Sequence, residues 1–332
     1  MFAMPVAKPI PPITPLSPHR EQQADTDKLQ LVLRVAELAA VVMRNTAADG
    51  ETTTAVPGLT LLRLSTPCEP VHMLHRPALC MIVQGVKHLH LADELYAYDA
   101  SAYLVVAQHL PVMGRVVRAS MQEPYLCLRL DFDPVLLAEH ILAQAPTLAL
   151  RRHHQASDIS TRGLFVGNAD LALVDAMLRL VKLTETPHDI SALAPLVVQE
   201  IVYRLLASKT GWRLAQLGQE DTHVRRIALA IQMLRERFTE PLRLAELARV
   251  ALMSTSSLHH HFKAVTAMSP LQYQKRLRLY EARKLLLAGA TDAATAAHHV
   301  GYNSASQFSR EYARLFGVPP ARDLRAMREY NA

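Results

Sequence analysis

Cysteine, aromatic rings and long apolar runs are all scarce in this chain of 332 residues. Its three cysteines, Cys68, Cys80 and Cys127, form no Cys-x-x-Cys pair. That spacing argues against a disulfide framework and a structural zinc site, and fits a reducing cytoplasm. Phe, Trp and Tyr make up 5% of the residues, too few for a stacking platform along single-stranded nucleic acid or for a sugar cleft. No run of 18 apolar residues occurs, so no membrane span is expected. Prolines interrupt the opening residues where a signal peptide would need an apolar core. Residues 1–25 are therefore expected to form a disordered leader.

What the chain does have is an uneven charge. Of its 36 Lys+Arg and 30 Asp+Glu, 17 and 9 lie from Asp221 onward, leaving 19 and 21 before it. A C-terminal third of net +8 thus follows a body of net −2. A basic module on a near-neutral body is the electrostatic footprint of polyanion binding.

Periodicity divides the chain further. Residues Asp27 to Asn45 read as a helix, with Leu31, Val35, Leu38 and Val42 on one face. Between residues 56 and 131, short apolar runs are separated by Pro, Gly and Asp, the pattern of a compact antiparallel barrel or sandwich. A hairpin turn is expected between His90 and Tyr96. Helical periodicity returns over Pro134–Gln144, Leu171–Lys182 and Ala194–Ala207. The expected organisation is a sheet-containing region with helices over 26–207, a linker over 208–222, and an all-helical module over 223–332.

That last module contains one device twice. In the first copy a short helix carries Leu244, Leu247 and Ala248, a turn follows around Ala251–Ser254, and Ser254 or Thr255 caps a second helix. Leu258 and Phe262, spaced i,i+4, anchor that helix, so Ser256, His259 and His260 face outward near its start. In the second copy Ala293, Ala296 and Ala297 allow close helix approach, Gly301 permits the turn, and Ser304 caps a helix anchored by Phe308 and Tyr312. Ser306, Gln307, Ser309 and Arg310 are then exposed. Gln and Arg suit bidentate contacts to adenine and guanine respectively. A long amphipathic helix from Pro270 joins the copies, with Lys275, Arg276, Arg278, Arg283 and Lys284 expected outside. Lys263, Arg276 and Arg314 are the expected phosphate contacts.

The module resembles the DNA-binding domain of the arabinose-regulator (AraC/XylS-type) family over about Val224 to Leu324. The likeness is carried by Leu247-Ala, Met253-Ser, Phe262-Lys, Met268-Ser-Pro, Arg276-Leu-Arg-Leu, Glu281-Ala-Arg, Val300-Gly-Tyr, Gln307-Phe-Ser-Arg, and Phe316-Gly with Pro319-Pro. The resemblance implies two recognition helices entering successive major grooves of double-stranded DNA. One departure is Ala251, where the family usually has glycine; another is the run His259-His-His261 in the first recognition helix.

The N-terminal region resembles the cupin-like sensor domain of one branch of that family, through Leu79-Cys-Met-Ile-Val-Gln-Gly, Tyr98-Asp, Tyr103-Leu-Val-Val, Leu110-Pro-Val and Tyr125-Leu. The fold class expected on that basis is α+β: a cupin-like antiparallel barrel with flanking helices, then an all-α domain with two helix-turn-helix units. The resemblance implies a cytoplasmic, non-catalytic transcription regulator without a cofactor. Its further partners would be RNA polymerase, a small-molecule or nucleotide effector that no residue pattern identifies, and a second copy in a homodimer. An enzymatic alternative rests on His88 and His90, which share a strand face with Glu94 close behind. Such a His-x-His and carboxylate set is that of a metal-dependent cupin-type enzyme, here fused to a DNA-binding module. A third reading is an anti-regulator working through protein contacts alone.

Overall fold

The computed structural model describes residues 18–100, 102–133, 136–143, 162–216, 222–289 and 291–330. Its first helix, α1 (Pro18–Arg44), buries Leu38, Val41 and Val42. Ten strands follow among the described residues: β1 (Gly50–Thr53), β2 (Leu59–Leu64), β3 (Val71–His75), β4 (Ala78–Gln84), β5 (Val86–Leu91), β6 (Glu94–Asp99), β7 (Ala102–Val106), β8 (Leu110–Arg118), β9 (Tyr125–Asp131) and β10 (Leu164–Asn168). A helix over 136–143, α2, lies between the last two.

The strands form two antiparallel sheets, one ordered β1-β2-β9-β4-β7-β10 and one ordered β3-β8-β5-β6. The expected cupin-like closed barrel is not formed, because neither sheet pairs its first strand with its last. The sequence of the central strands explains the open arrangement. In β4, Leu79, Met81 and Val83 point into a cluster with the helices, while Cys80 and Ile82 point the other way, toward the second sheet. A strand apolar on both faces belongs in the middle of a stack of layers. Helices therefore cover one face of the six-stranded sheet and the smaller sheet covers the other. The expected hairpin is present, with β5 and β6 paired from Val86↔Asp99 to Leu91↔Glu94.

The covering helices are α1, α3 (Leu171–Lys182) and α4 (Ile190–Ala207). Asp170 caps α3 by accepting from the Leu173 N–H. The stretch Pro187–Ala207 has the length and hydropathy of a membrane span. Its Ile190, Val197, Ile201 and Leu205 are buried in the same cluster as α3 and the sheet. Within the expected linker a short helix, α5 (Gly211–Ala215), buries Leu214 and Ala215.

The C-terminal part is helical throughout: α6 (His223–Glu236), α7 (Leu244–Val250), α8 (Thr255–Thr266), α9 (Pro270–Leu287), α10 (Ala293–His299), α11 (Ala305–Phe316) and α12 (Pro320–Tyr330). Serine and threonine caps set most of the starts. Thr222, Ser254, Ser269 and Ser304 each accept from a backbone N–H in the first turn, and Ser269 with Gln272 completes a capping box.

Candidate nucleic-acid interface

The two helix-turn-helix units are built to one plan. Each pairs a seven-residue helix (α7, α10) with a twelve-residue one (α8, α11). Leu258 and Phe262 are fully buried under α8, and Phe308 and Tyr312 under α11. Anchoring on those residues exposes Ser256, His259 and His260 on α8, and Ser306, Gln307 and Arg310 on α11, with Ser309 half-buried. All seven expected base-reading positions therefore fall on the two second helices, away from the core. Lys263 and Arg314 are exposed and Arg276 is half-buried.

The neighbours of these side chains differ between units. Arg310 has no ion-pair partner among the described residues. Gln307 donates its amide to Glu311 (3.1 Å), which also takes Lys275 (2.6 Å) and the Tyr302 hydroxyl (2.8 Å). Burial alone would raise the Glu311 carboxyl, yet those three donors hold it below the usual carboxylate range. Glu311 is thus a charged bracket behind Gln307. On α8, His261 turns from the reading face and stacks on His223 of α6, ring centroids 3.7 Å apart. Burial, with His223 and His260 beside it, keeps His261 below the ordinary histidine range.

The turns also differ. After α10 the chain reverses at Gly301 with φ 86°, and a side chain there would meet the Thr239 carbonyl at 2.2 Å. After α7, Ala251 has an ordinary right-handed backbone (φ −77°), and the left-handed residue is Leu252 at φ 52°. The same bonds close both turns: Met253 N–H to Ala248 O, and Tyr302 N–H to Ala297 O, each 2.9 Å. The departure at Ala251 is therefore harmless, and the position needing glycine is one residue later.

Most of the α9 cations, expected to be exposed, are engaged within the protein. Arg278 donates to the carbonyls of Phe238 (2.6 Å), Thr239 (3.0 Å), Glu240 (2.8 Å) and Gly301 (2.8 Å). Lys275 pairs with Glu311, and Arg283 with Asp323 at 2.9 Å. Arg278 joins the loop between α6 and α7 to the turn of the second unit, so it sets the two units relative to one another.

One arginine that carried no sequence signal reaches the first unit from the sheet region. Arg162, just before β10, grips both oxygens of Glu94 through Nε (2.9 Å each). Its Nη1 donates to the carbonyls of Lys263 and Ala264 at the C-terminal end of α8, both 2.8 Å. The Arg162 guanidinium holds the Glu94 carboxyl below its usual range. Next to it, the Gly163 N–H donates to Val265 O (2.9 Å), where a side chain on Gly163 would press on Val265. The Tyr273 hydroxyl of α9 donates to His109 O (2.7 Å), and His72 on β3 meets Phe316 edge to face. Glu94 is thereby committed to Arg162 and is no partner of His88 and His90. No group of three His, Cys, Asp or Glu suited to a metal ion occurs among the described residues, which removes the basis of the metalloenzyme alternative.

Comparison with known proteins agrees with this division. Residues 55–213 match the family described as AraC-type transcriptional regulator N-terminus, and residues 247–326 match a helix-turn-helix domain. The chain thus carries, in order, a segment that matches an AraC-type N-terminus and one that matches a helix-turn-helix domain. Among curated proteins it is 41% identical over 76 residues to an AraC-like transcription regulator of Streptomyces lividans, covering 23% of this chain and 25% of that one. It is 31% identical over 104 residues to the HTH-type transcriptional activator RhaS of Escherichia coli O157:H7, covering 31% of this chain and 37% of that one. The matched stretches span a quarter to about a third of those relatives. Among solved structures, ToxT from Vibrio cholerae superposes with a TM-score of 0.51 at 12% identity, over 80% of this chain and 97% of that one, a likeness of fold.

Proposed function

With an AraC-type N-terminal segment followed by two helix-turn-helix units, we propose that this chain is an AraC-type transcription regulator that binds duplex DNA in a sequence-specific way and catalyses nothing. The observation that carries the reading is the repeated unit: two capped twelve-residue helices, each anchored by buried residues at i and i+4, and each presenting a polar face. Arg310 and Gln307 of α11 are the base readers, with Ser306 and Ser309 beside them; Ser256, His259 and His260 serve α8. Lys263, Arg276 and Arg314 meet phosphates. A protein that reads chromosomal DNA works in the cytoplasm.

The N-terminal part acts as the regulatory segment. RNA polymerase is the partner a promoter-bound regulator meets, and an effector bound by the sheet region would set the response. A second copy of the chain has apolar surface to bind: Leu29, Val32 and Leu33 on α1, and Leu193, Leu196 and Tyr203 on α4, are exposed.

The test is selection of bound fragments from the source genome with purified full-length protein at near-physiological salt, then titration of the enriched site. A shared motif spanning two adjacent major grooves is expected. On that site Arg310→Ala should cost about 1–3 kcal/mol and relax choice at one base pair. An equal loss on every sequence would reassign Arg310 to the backbone, and enrichment without a motif would defeat the proposal.

A further inference from the structure

The two reading helices differ in the kind of charge they carry. On α11 the outward side chains include Arg310, with Arg314 one turn later, and arginine is always charged. On α8 the run from Thr255 to Phe262 contains no lysine or arginine, and Lys263 is the helix's only fixed cation. The other groups on α8 able to carry positive charge are His259, His260 and His261, and imidazole changes charge between about pH 5 and 8. Neighbours on a helix point about 100° apart, so the three face different surroundings. His261 lies against His223 of α6, the rings 14° from parallel and 3.7 Å apart. Two imidazolium ions repel strongly at that distance, and burial, then His223 and His260, keeps His261 below the ordinary histidine range. His260 is exposed on the reading face, and its ring meets that of His261 edge to face, 5.0 Å between centroids. A chain of three rings thus runs from α6 to the reading face and orients His260. His259, also exposed, has no ring contact or hydrogen bond among the described residues.

Among the described residues no carboxylate draws a proton onto that chain of rings. The helices packed on α8 are α6, α7 and α9, and their carboxylates are engaged: Glu236 accepts from Gln232, Glu246 from Arg237 and Glu281 from Lys284. From the sheet region, Glu94 is held by Arg162. Arg226, one turn after His223, and Lys263, one turn after His260, add positive charge that opposes protonation. DNA supplies what is missing. Phosphates flank a helix seated in the major groove and favour a cation there. Guanine presents two acceptors on that groove edge, N7 and O6, where adenine sets an amino donor beside its N7. Imidazolium donates from both ring nitrogens and suits guanine, whereas a neutral ring donates from one. We propose, on the reading of α8 as a recognition helix, that His260 is a proton-dependent base reader: as α8 enters the major groove, its ring takes a proton from solvent and donates to guanine. Because DNA raises the proton affinity of His260, the contact contributes fully below the pH at which the free protein titrates. It is lost as pH rises through the titration of the complex. Arg310 keeps its charge throughout, so the second unit does not share this dependence.

The test is fluorescence-anisotropy titration of the full chain on a duplex carrying the selected site, from about pH 6 to pH 8 at constant ionic strength. His75 and His109, both held at about 4, stay neutral over that range. The base pair under His260 is the one at which His260→Gln relaxes choice at the acid end. With guanine there, affinity should rise about five- to tenfold from pH 8 to pH 6, and with adenine less than about twofold. His260→Gln should flatten the profile, and His260→Arg should flatten it at the tight end, binding at pH 8 as the parent does at pH 6. His259→Gln should retain the rise. His223→Ala, which removes the support behind His261, should weaken binding more at pH 6 than at pH 8, a difference that a merely structural role would not produce. A rise of equal size on every sequence would make His260 a phosphate contact, and a rise that survives His260→Gln would place the proton on another group. Either result, or a flat profile in the parent, would overturn the assignment. A flat profile with site-specific binding would leave the reading of the helix-turn-helix units intact, whereas no site-specific binding at any pH would defeat both.

Discussion

Leu252 occupies a backbone conformation that a branched L residue accepts at a cost. Its φ of 52° puts it in the left-handed region, and its side chain, 71% exposed, gains little from burial. Gly301 stands at the matching place in the second unit. Left-handed geometry costs an L residue about 1–2 kcal/mol, against about 0.5–1 kcal/mol for the extra freedom of glycine in the unfolded chain. Leu252→Gly should therefore stabilise the protein, by about 0.5–1 kcal/mol in urea unfolding. A net loss would mean that the Leu252 side chain makes contacts that outweigh the strain. His75 supplies a second residue-scale prediction. It is buried, with Nδ1 2.7 Å from Arg76 O and Nε2 3.4 Å from the Cys80 thiol, so Nδ1–H donates and Nε2 accepts. Burial lowers its pKa to about 4, against a weaker opposing pull from the Arg76 carbonyl. A histidine depressed in the folded state binds its proton in the unfolded chain first, so its contribution is full above about pH 6.5 and drains as pH falls toward 4. Between pH 7 and 4.5 that amounts to about 2–3 kcal/mol. Denaturant curves of His75→Gln at the two pH values should show the acid loss smaller by that amount, and an unchanged loss would place the titration elsewhere.

At the scale of elements, α9 is the strut that decides whether the two reading helices act together. Arg278 provides four of its ties, all to carbonyls in turns flanking the two units. Arg278→Ala leaves those carbonyls short of donors and should cost about 2–4 kcal/mol in unfolding free energy. Lysine lacks the fork, so Arg278→Lys should recover little of it. Recovery of most of the stability with lysine would show that charge alone matters there. The helix-turn-helix units were legible in the sequence because their determinants are local: a capping serine, anchors at i and i+4, and a small residue in the turn. The role of Arg278 was hidden, because its acceptors lie 23 to 40 residues away in sequence and are backbone atoms, which have no residue signature. Arg162 was hidden for the same reason. The strands between residues 56 and 131 were readable as a strand-rich stretch, whereas β1 and β10 lie outside it and were not foreseen, and alternation in β4 put large side chains on both faces. What alternation does not specify is which edges meet, and the expected barrel gave way to two open sheets. His88, His90 and Glu94 looked like a ligand set on spacing alone, and a long-range ion pair had already claimed the carboxylate.

At the scale of the whole molecule, the sheet region and the first reading unit share one apolar cluster, in which Leu110, Val112 and Leu164 join Ile227, Leu258 and Phe262. Arg162 is the polar fastening of that seam. It grips the last turn of α8, whereas Ser256, His259 and His260 lie toward the start of the helix on exposed positions. The seated arrangement therefore leaves the reading face open while fixing the helix that bears it. A guanidinium at a helix C-terminus adds a donor to the last carbonyls, here Ala264 O and Lys263 O, the latter also taking the Ala267 N–H, and favours the negative end of the helix dipole. Removing it should loosen α8 without unfolding the unit, since the Gly163–Val265 bond and the apolar cluster remain. For Arg162→Ala, amide exchange at Thr266 and Ala267 should quicken, and affinity for the selected DNA site should fall about three- to tenfold, the cost of ordering a helix no longer held in place. The loss should be confined to base pairs under the first unit, with discrimination at the position proposed for Arg310 unchanged. Tighter binding in the variant would reverse the sign of the seam's effect, making the seated state the one that restrains α8 from DNA.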